Sequence, residues 1–150
     1  MCTLVILRRP GHDWPLIVAA NRDEMANRLS DPPGRQEAGK RSRGELPLEA
    51  LGHGEAAEAA EALAHLDGSA YRSFNLIVGD VNRAFWISGN GRDPQVSVQE
   101  IRPGLSMITA YDLNDDTSAR IGHYRPLFEA APPPDPAQGA GGWDAWVALM

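Results

Sequence analysis

Two short apolar runs near the start of the chain flank a segment dense in turn formers, and this arrangement constrains the fold more than any other feature. Thr3–Leu7 and Leu16–Ala20 are rich in β-branched or aliphatic residues, which suits strands covered on both faces. Between them, Pro10–Pro15 reads Pro-Gly-His-Asp-Trp-Pro, a composition typical of a reversal of the chain. We therefore predict an antiparallel β-hairpin.

The register of this hairpin decides which side chains meet at its open end. With the turn centred between His12 and Asp13, the numbers of paired residues sum to about 25, within a residue or two. Cys2, the only cysteine of the chain, then faces Arg22 or Asp23. The sequence thus predicts a thiol, a guanidinium and a carboxylate together at one end of two strands.

These residue types are the ones that a site for nucleophilic catalysis needs. If Met1 is removed, Cys2 carries a free α-amine with a pKa of about 8, well matched to a thiol pKa of about 8.5. Arg22 would stabilise the thiolate, and Asp23 would hold the ammonium in place. Asn21 would donate a hydrogen bond to a developing oxyanion.

Structural interpretations of the same residues stay open. A lone cysteine near the start of a strand is often a small buried apolar residue. The segment Asn21–Glu24 is compatible with a polar strand end that caps a following helix. The four tryptophans are expected in the core or at an interface before they are expected around a cofactor.

Composition and charge exclude several classes of function. The chain has 150 residues, 43% of them hydrophobic, which is enough for one domain with a sizeable core. Its net charge of −6 disfavours nucleic acid as a partner. The four histidines are scattered and the cysteine is single, so neither a metal site nor a cofactor is expected.

No part of the sequence is typical of a membrane or export segment. No apolar stretch approaches the roughly 20 residues of a membrane span. The run Thr3–Leu7 is too short for a secretory signal, and Arg8 and Arg9 follow it rather than precede it. We therefore expect a cytoplasmic protein.

The rest of the chain alternates between helix and strand patterns. The Ala-rich segment Glu55–Leu66 predicts a helix whose small side chains pack closely on a sheet. A second hairpin is predicted from Phe74–Asp80 and Ala84–Gly89. Two further strands are predicted at Gln95–Ile101 and Leu105–Ala110, and a second helix at Ser118–Ala131. The polar segment Leu29–Leu46 is predicted to be a loop, residues 132–142 a flexible spacer, and Trp143–Met150 the start of a helix.

Five short motifs in this order resemble the NRDE family, the group that includes transport and Golgi organisation protein 2. They are Met1-Cys2-Thr3, Ala19-Ala20-Asn21-Arg22-Asp23-Glu24, Arg43-Gly44-Glu45-Leu46, Phe74-Asn75-Leu76 and Gly104-Leu105-Ser106. The resemblance implies an α+β fold, the four-layer α/β/β/α sandwich of N-terminal-nucleophile hydrolases. The start of the chain is also similar to choloylglycine hydrolases, in which an N-terminal Cys works with an Arg and an Asp at the end of the next strand.

The chain departs from the family pattern at two places. It passes directly from Asp31-Pro32-Pro33 to Gly39-Lys40-Arg41, where relatives have a Gly-Gly-Thr-Trp-type motif and further strands. It also ends within the predicted final helix, where the family continues. We therefore expect one NRDE-type domain over residues 1–150, shortened internally after about residue 35 and truncated at the C-terminus, with an incomplete sandwich.

Two functions from different classes follow, and a third possibility is a defective paralogue that binds no ligand. The first is an N-terminal-cysteine amidohydrolase acting on a non-peptide C–N amide bond, with Cys2, Arg22 and Asp23 at its centre and Asn21, Asn75 or Asn114 stabilising the oxyanion. The second is a non-catalytic carrier or trafficking protein for haem or another hydrophobic ligand. In either case the expected partner is a small amide or hydrophobic molecule. After the loss of interior strands, the remaining strands can close the sheet or leave an open edge that recruits another copy of the chain, and we expect the second. We also expect a weakly stable protein with a reactive Cys2 but little or no turnover, because the oxyanion wall is incomplete.

Overall fold

The computed structural model describes residues 3–21 and 39–150. The described residues fall into two compact units. Unit 1 contains residues 3–21 and 102–150, and unit 2 contains residues 39–101. Each unit has its own antiparallel three-stranded sheet and its own apolar core.

Six strands and four α-helices make up the described fold. The strands are β1 (Thr3–Arg8), β2 (Leu16–Asn21), β3 (Phe74–Gly79), β4 (Ala84–Gly89), β5 (Ser97–Glu100) and β6 (Gly104–Ile108). The α-helices are α1 (Glu45–Leu51), α2 (Ala56–Ala64), α3 (Ala119–Ala130) and α4 (Asp144–Val147). Two 3₁₀ helices lie at Gly68–Ala70 and Pro136–Trp143.

The sheet of unit 1 has the order β2-β1-β6. In the β1–β2 hairpin, Thr3 lies opposite Asn21 and Arg8 opposite Leu16, so partner numbers sum to 24, one less than the sequence predicts. The predicted hairpin is confirmed. Strand β1 is central because β2 pairs with one of its edges and β6 with the other. Its residues Val5 and Ile6 have no exposed surface.

Helix α3 covers this sheet because one stripe of its surface is apolar. Ile121 and Phe128 are buried in the core with Val5, Ile17, Met107 and Trp146, and the rings of Phe128 and Trp146 meet edge to face at 5.2 Å. The helix begins after Ser118, whose hydroxyl accepts a hydrogen bond from the Ile121 N–H, an ordinary N-cap. The helix predicted at Ser118–Ala131 is confirmed.

The sheet of unit 2 has the order β3-β4-β5 and carries α1 and α2 on one face. The small side chains of α2 allow close approach to β4, so Ala56, Ala60 and Leu63 pack with Phe85 and Ile87. The predicted hairpin and the predicted Ala-rich helix are both confirmed.

The loop predicted at Leu29–Leu46 is confirmed for residues 39–44, which form neither helix nor strand. Its predicted end is wrong, because α1 begins at Glu45; residues 29–38 lie outside the described part. Pro47 stands in the first turn of α1, where its missing N–H is tolerated, and burial of Leu46 holds the helix on unit 2.

The predicted spacer at residues 132–142 also has regular structure. A 3₁₀ helix covers Pro136–Trp143, interrupted by Gly139 at a positive φ of 65°. The Asp135 carboxylate accepts a hydrogen bond from the Ala137 N–H and so fixes the start of this helix. The predicted helix start at Trp143–Met150 agrees with α4, and Trp146 is 1% exposed. Trp14, by contrast, is 42% exposed and lies outside both cores.

The mixture of helices and antiparallel sheets confirms the α+β prediction. The four-layer sandwich and the single NRDE-type domain stay predictions. In the described residues, no helix is long and apolar enough to cross a membrane.

Candidate functional site

Three of the predicted site residues, Cys2, Arg22 and Asp23, lie outside the described residues. Their described neighbours in the chain are Thr3, which follows Cys2, and Asn21, which precedes Arg22. These two neighbours pair with each other at the open end of the β1–β2 hairpin. Thr3 and Asn21 are therefore the described residues that mark the position of the predicted site in the fold.

Asn21 uses both ends of its amide at this position. Its Oδ1 accepts a hydrogen bond from the Thr3 backbone N–H at 3.1 Å, and its Nδ2 donates to the Met150 carbonyl oxygen at 2.8 Å. Because an amide nitrogen carries two hydrogens, one N–H of Asn21 has no acceptor among the described residues. This leaves one donor at the end of the hairpin.

Arg120 brings a positive charge to the same place from helix α3. Its Nη1 donates to the Thr3 hydroxyl oxygen at 3.1 Å, and Thr3 is only 4% exposed. Thr3, Asn21, Arg120 and Tyr124 are called the hairpin-end cluster below. A cavity of about 20 Å³ lies among them and is closed by Phe128, Leu149 and Met150, so it has room for about one water-sized group.

Asn114 belongs to a different group of hydrogen bonds. Its Oδ1 accepts from the Met107 N–H at 2.9 Å, and its Nδ2 donates to the Ser106 hydroxyl at 3.3 Å. Its own N–H donates to the Met107 carbonyl at 2.8 Å, and its φ of 57° is in the left-handed region. These contacts make Asn114 the residue that fastens the loop after β6 to that strand.

Asn75 lies on β3 in unit 2 and is exposed. Its Oδ1 accepts from the indole N–H of Trp86 at 2.9 Å, across the β3–β4 ladder. No described residue accepts a hydrogen bond from its Nδ2. Asn75 therefore retains the donor that an oxyanion would need, but it sits in the other unit from Asn21 and Asn114.

Sequence reasoning missed Arg120. The residue stands four positions before Tyr124, and a spacing of four puts both on one side of a helix. That spacing was the only local signal, because the bond from Arg120 to Thr3 joins residues 117 apart in the chain.

Within the described stretches 3–21 and 39–150, no group of three or more acidic, Cys or His side chains is arranged to hold a metal ion. A second cavity is a groove of about 310 Å³ in unit 2. It runs between β3 and the α1–α2 connection, with Leu51, Ala59, Leu76 and Val78 among its walls and His53, Glu55 and Asp80 at one end.

The described geometry defines an α+β protein with a polar cluster at the open end of its first hairpin. The chain belongs to the family described as Transport and Golgi organisation 2, whose model matches residues 30–131. The match includes Asn75, Asn114 and Arg120, and it does not reach Cys2 or the Asn21–Glu24 segment. No curated protein and no solved structure matches the chain.

Proposed function

We propose that this chain is a cysteine N-terminal-nucleophile amidohydrolase that acts on a non-peptide C–N amide bond of a small molecule. The observation that supports it is the pairing of Thr3 with Asn21 at the end of the hairpin. The proposal extends this register by one residue, so that Cys2 faces Arg22 and Asp23 follows. The working compartment that we propose is the cytoplasm.

The chemistry follows from the residue types. The α-amine of the mature N-terminus takes the thiol proton, and the Cys2 thiolate attacks the amide carbonyl. A C–S bond forms and the carbonyl oxygen becomes an oxyanion. When the C–N bond breaks, the α-ammonium returns the proton to the leaving amine. Water, deprotonated by the same α-amine, then attacks the thioester and releases the acid and the thiol.

The hairpin-end cluster supplies the surroundings for these steps. Arg120 bonds to Thr3, the residue next to Cys2, and a fixed positive charge near a thiol lowers its pKa by favouring the thiolate. The N–H of Asn21 that has no described acceptor is suited to the oxyanion. In this proposal Arg22 adds a second positive charge and Asp23 orients the α-ammonium.

Asn75 and Asn114 remain secondary candidates for the oxyanion or the substrate. The Asn114 amide is already bonded at both ends, so donating to an oxyanion would require it to break or share its bond to Ser106. The amide nitrogen of Asn75 has no acceptor among the described residues, and Asn75 stays a proposed oxyanion or substrate contact. We therefore rank Asn21 first as the oxyanion donor.

The decisive experiment combines intact mass with hydrolysis of a panel of small chromogenic amides. We expect a mature chain that begins at Cys2, amine release by the wild type, and no release by Cys2→Ala. A matched variant carries one glycine inserted between Met1 and Cys2, which keeps the thiol but moves the α-amine away from it. This variant should also lose hydrolysis.

Two results would contradict the proposal. A mature chain that keeps Met1 at high occupancy has no free amine on Cys2. Hydrolysis that survives in the inserted variant would show that the α-amine is not the base. If the purified protein instead carries an absorbing cofactor, and Cys2→Ala leaves that binding unchanged, the carrier function is favoured.

A further inference from the structure

We propose that the edge of β3 that has no partner strand among the described residues is a self-association surface, at which β3 pairs antiparallel with β3 of a second copy of this chain. The surface comprises β3 (Phe74–Gly79), the neighbouring groove and the outer side of α1 (Glu45–Leu51). It lies entirely within unit 2. One of its residues, Asn75, is also a secondary candidate for the hydrolase site, but the self-association uses the backbone of Asn75 and not its side-chain amide.

The hydrogen-bond pattern of β3 shows which backbone groups face outward. The Asp80 N–H donates to the Arg83 carbonyl at 2.9 Å, which fixes the alternation along the ladder with β4. Phe74, Leu76 and Val78 therefore bond to β4, because bonded pairs in an antiparallel ladder recur at every second residue. The N–H and C=O groups of Asn75, Ile77 and Gly79 point to the open edge, and they have no backbone partner among the described residues.

The outward N–H and C=O groups of one copy of β3 can pair with the same groups of a second copy. When two copies of β3 run antiparallel about a two-fold axis at Ile77, Ile77 meets the partner's Ile77 and Asn75 meets the partner's Gly79. Each such pair exchanges both of its backbone hydrogen bonds. The same patch thus serves both copies, as in the isologous interface of a two-fold dimer.

The side chains beside the edge fit the same axis. Leu51 and Leu48 on α1 are 81% and 71% exposed, and Leu51 lines the groove next to β3. Because α1 lies over the sheet face that carries Leu76 and Val78, extending the sheet across β3 puts both α1 helices on one face. The exposed leucines of each copy can then be buried against the partner's α1.

Charge also favours a second copy over an unrelated peptide. At the start of β3, the Arg43 guanidinium donates to the Ser73 carbonyl at 3.1 Å. At its end, Glu55 and Asp80 stand at the groove. Antiparallel pairing sets the basic end of one copy against the acidic end of the other, so opposite charges meet twice.

The first test measures mass by light scattering and sedimentation over a wide range of protein concentration. We expect a reversible dimer whose dissociation constant rises by about tenfold or more in Leu51→Lys, since a leucine that the dimer would bury is replaced by a charge. Val147→Lys changes a valine of similar exposure, 67%, in unit 1 and should leave the dimer unchanged. A wild-type chain that stays monomeric throughout, including one that only binds foreign peptides, overturns the proposal.

The second test checks the register directly. In a Cys2→Ser background, Ile77→Cys should form a disulfide-linked dimer on mild oxidation, because bonded partners lie about 5.5 Å apart at Cα, within disulfide range. Asn75→Cys is the control, since it faces the partner's Gly79 rather than itself. Cross-linking at Asn75 but not at Ile77, or equal cross-linking of both, refutes the proposed pairing.

Discussion

The Asp80 carboxylate accepts a hydrogen bond from the Ala56 backbone N–H at 2.9 Å, across 24 residues of the chain. Its other oxygen accepts from the N–H groups of Asn82 and Arg83. One side chain therefore closes the β3–β4 turn and caps the start of α2, where Glu55 makes no side-chain cap of its own. A carboxylate at a helix N-terminus also interacts favourably with the helix dipole.

The first prediction is that Asp80→Ala lowers the free energy of unfolding by about 2 kcal/mol, because a helix cap and charge-assisted bonds are lost together. Chemical denaturation followed by far-ultraviolet circular dichroism measures it. Asp116→Ala, at an exposed carboxylate, is the control and should change stability by less than about 0.5 kcal/mol. Equal effects of both variants would show that Asp80 has no special role.

The second prediction concerns acid. The hydrogen bond from Ala56, followed by that from Arg83, holds the pKa of Asp80 below its ordinary value of 3.8. A carboxyl group whose pKa is lower in the folded than in the unfolded state stabilises the fold at pH values above its unfolded-state pKa. This stabilisation is lost as the pH falls through the pKa of the folded state. Wild-type stability should therefore fall below about pH 4, and Asp80→Asn should flatten this part of the curve. Parallel curves for the two proteins would contradict the assignment.

Local patterns predicted those parts of the fold that depend on neighbouring residues. The β1–β2 hairpin follows from two apolar runs around a Pro- and Gly-rich turn, and α2 follows from consecutive Ala and Glu residues. Helix α1 was missed because Gly44 and Pro47 give its first turn the composition of a loop, whereas burial of Leu46 stabilises it. Helix propensity is a weak guide where tertiary packing decides.

The candidate site was only partly predictable for a related reason. Asn21 could be placed at the hairpin end from the register alone. Its bond to Met150 spans 129 residues and the bond from Arg120 to Thr3 spans 117. No periodicity within a segment reports contacts at such separations, so Arg120 became visible only when α3 was seen packed on the sheet of unit 1.

The third prediction concerns the structural role of Asn114 in the loop after β6. Asn114→Ala should cost about 2–3 kcal/mol of stability, since it puts a residue with a Cβ and no local hydrogen bond at a left-handed φ and removes the bonds to Met107 and Ser106. Asn114→Asp keeps an oxygen for the Met107 N–H and tolerates that backbone conformation, so it should unfold within about 1 kcal/mol of the wild type. Thermal unfolding of the two variants side by side measures the difference. If the aspartate variant is as unstable as the alanine variant, the bonds of Asn114 do not fasten the loop.

The fourth prediction concerns the thiol at the hairpin end. If Arg22 faces Cys2, its positive charge favours the thiolate, so the pKa of Cys2 lies below the ordinary value of about 8.5. Arg22→Ala removes this charge and should move the pH midpoint of iodoacetamide alkylation upward. Arg120→Met should move it in the same direction, because Arg120 bonds to Thr3, the residue next to Cys2.

The control for the thiol experiment is Arg125→Ala, which removes a charge from the same helix as Arg120. Arg125 is paired with Glu129 at 3.0 Å, so its loss changes the net charge without touching the hairpin-end cluster. Its alkylation midpoint should match that of the wild type. If all three variants shift the midpoint equally, the effect comes from net charge, and Arg22 is not the neighbour of Cys2. If Arg22→Ala leaves the midpoint unchanged while Arg120→Met raises it, the pKa of the thiol depends on Arg120 of α3. The proposed pairing of Cys2 with Arg22 would then be wrong.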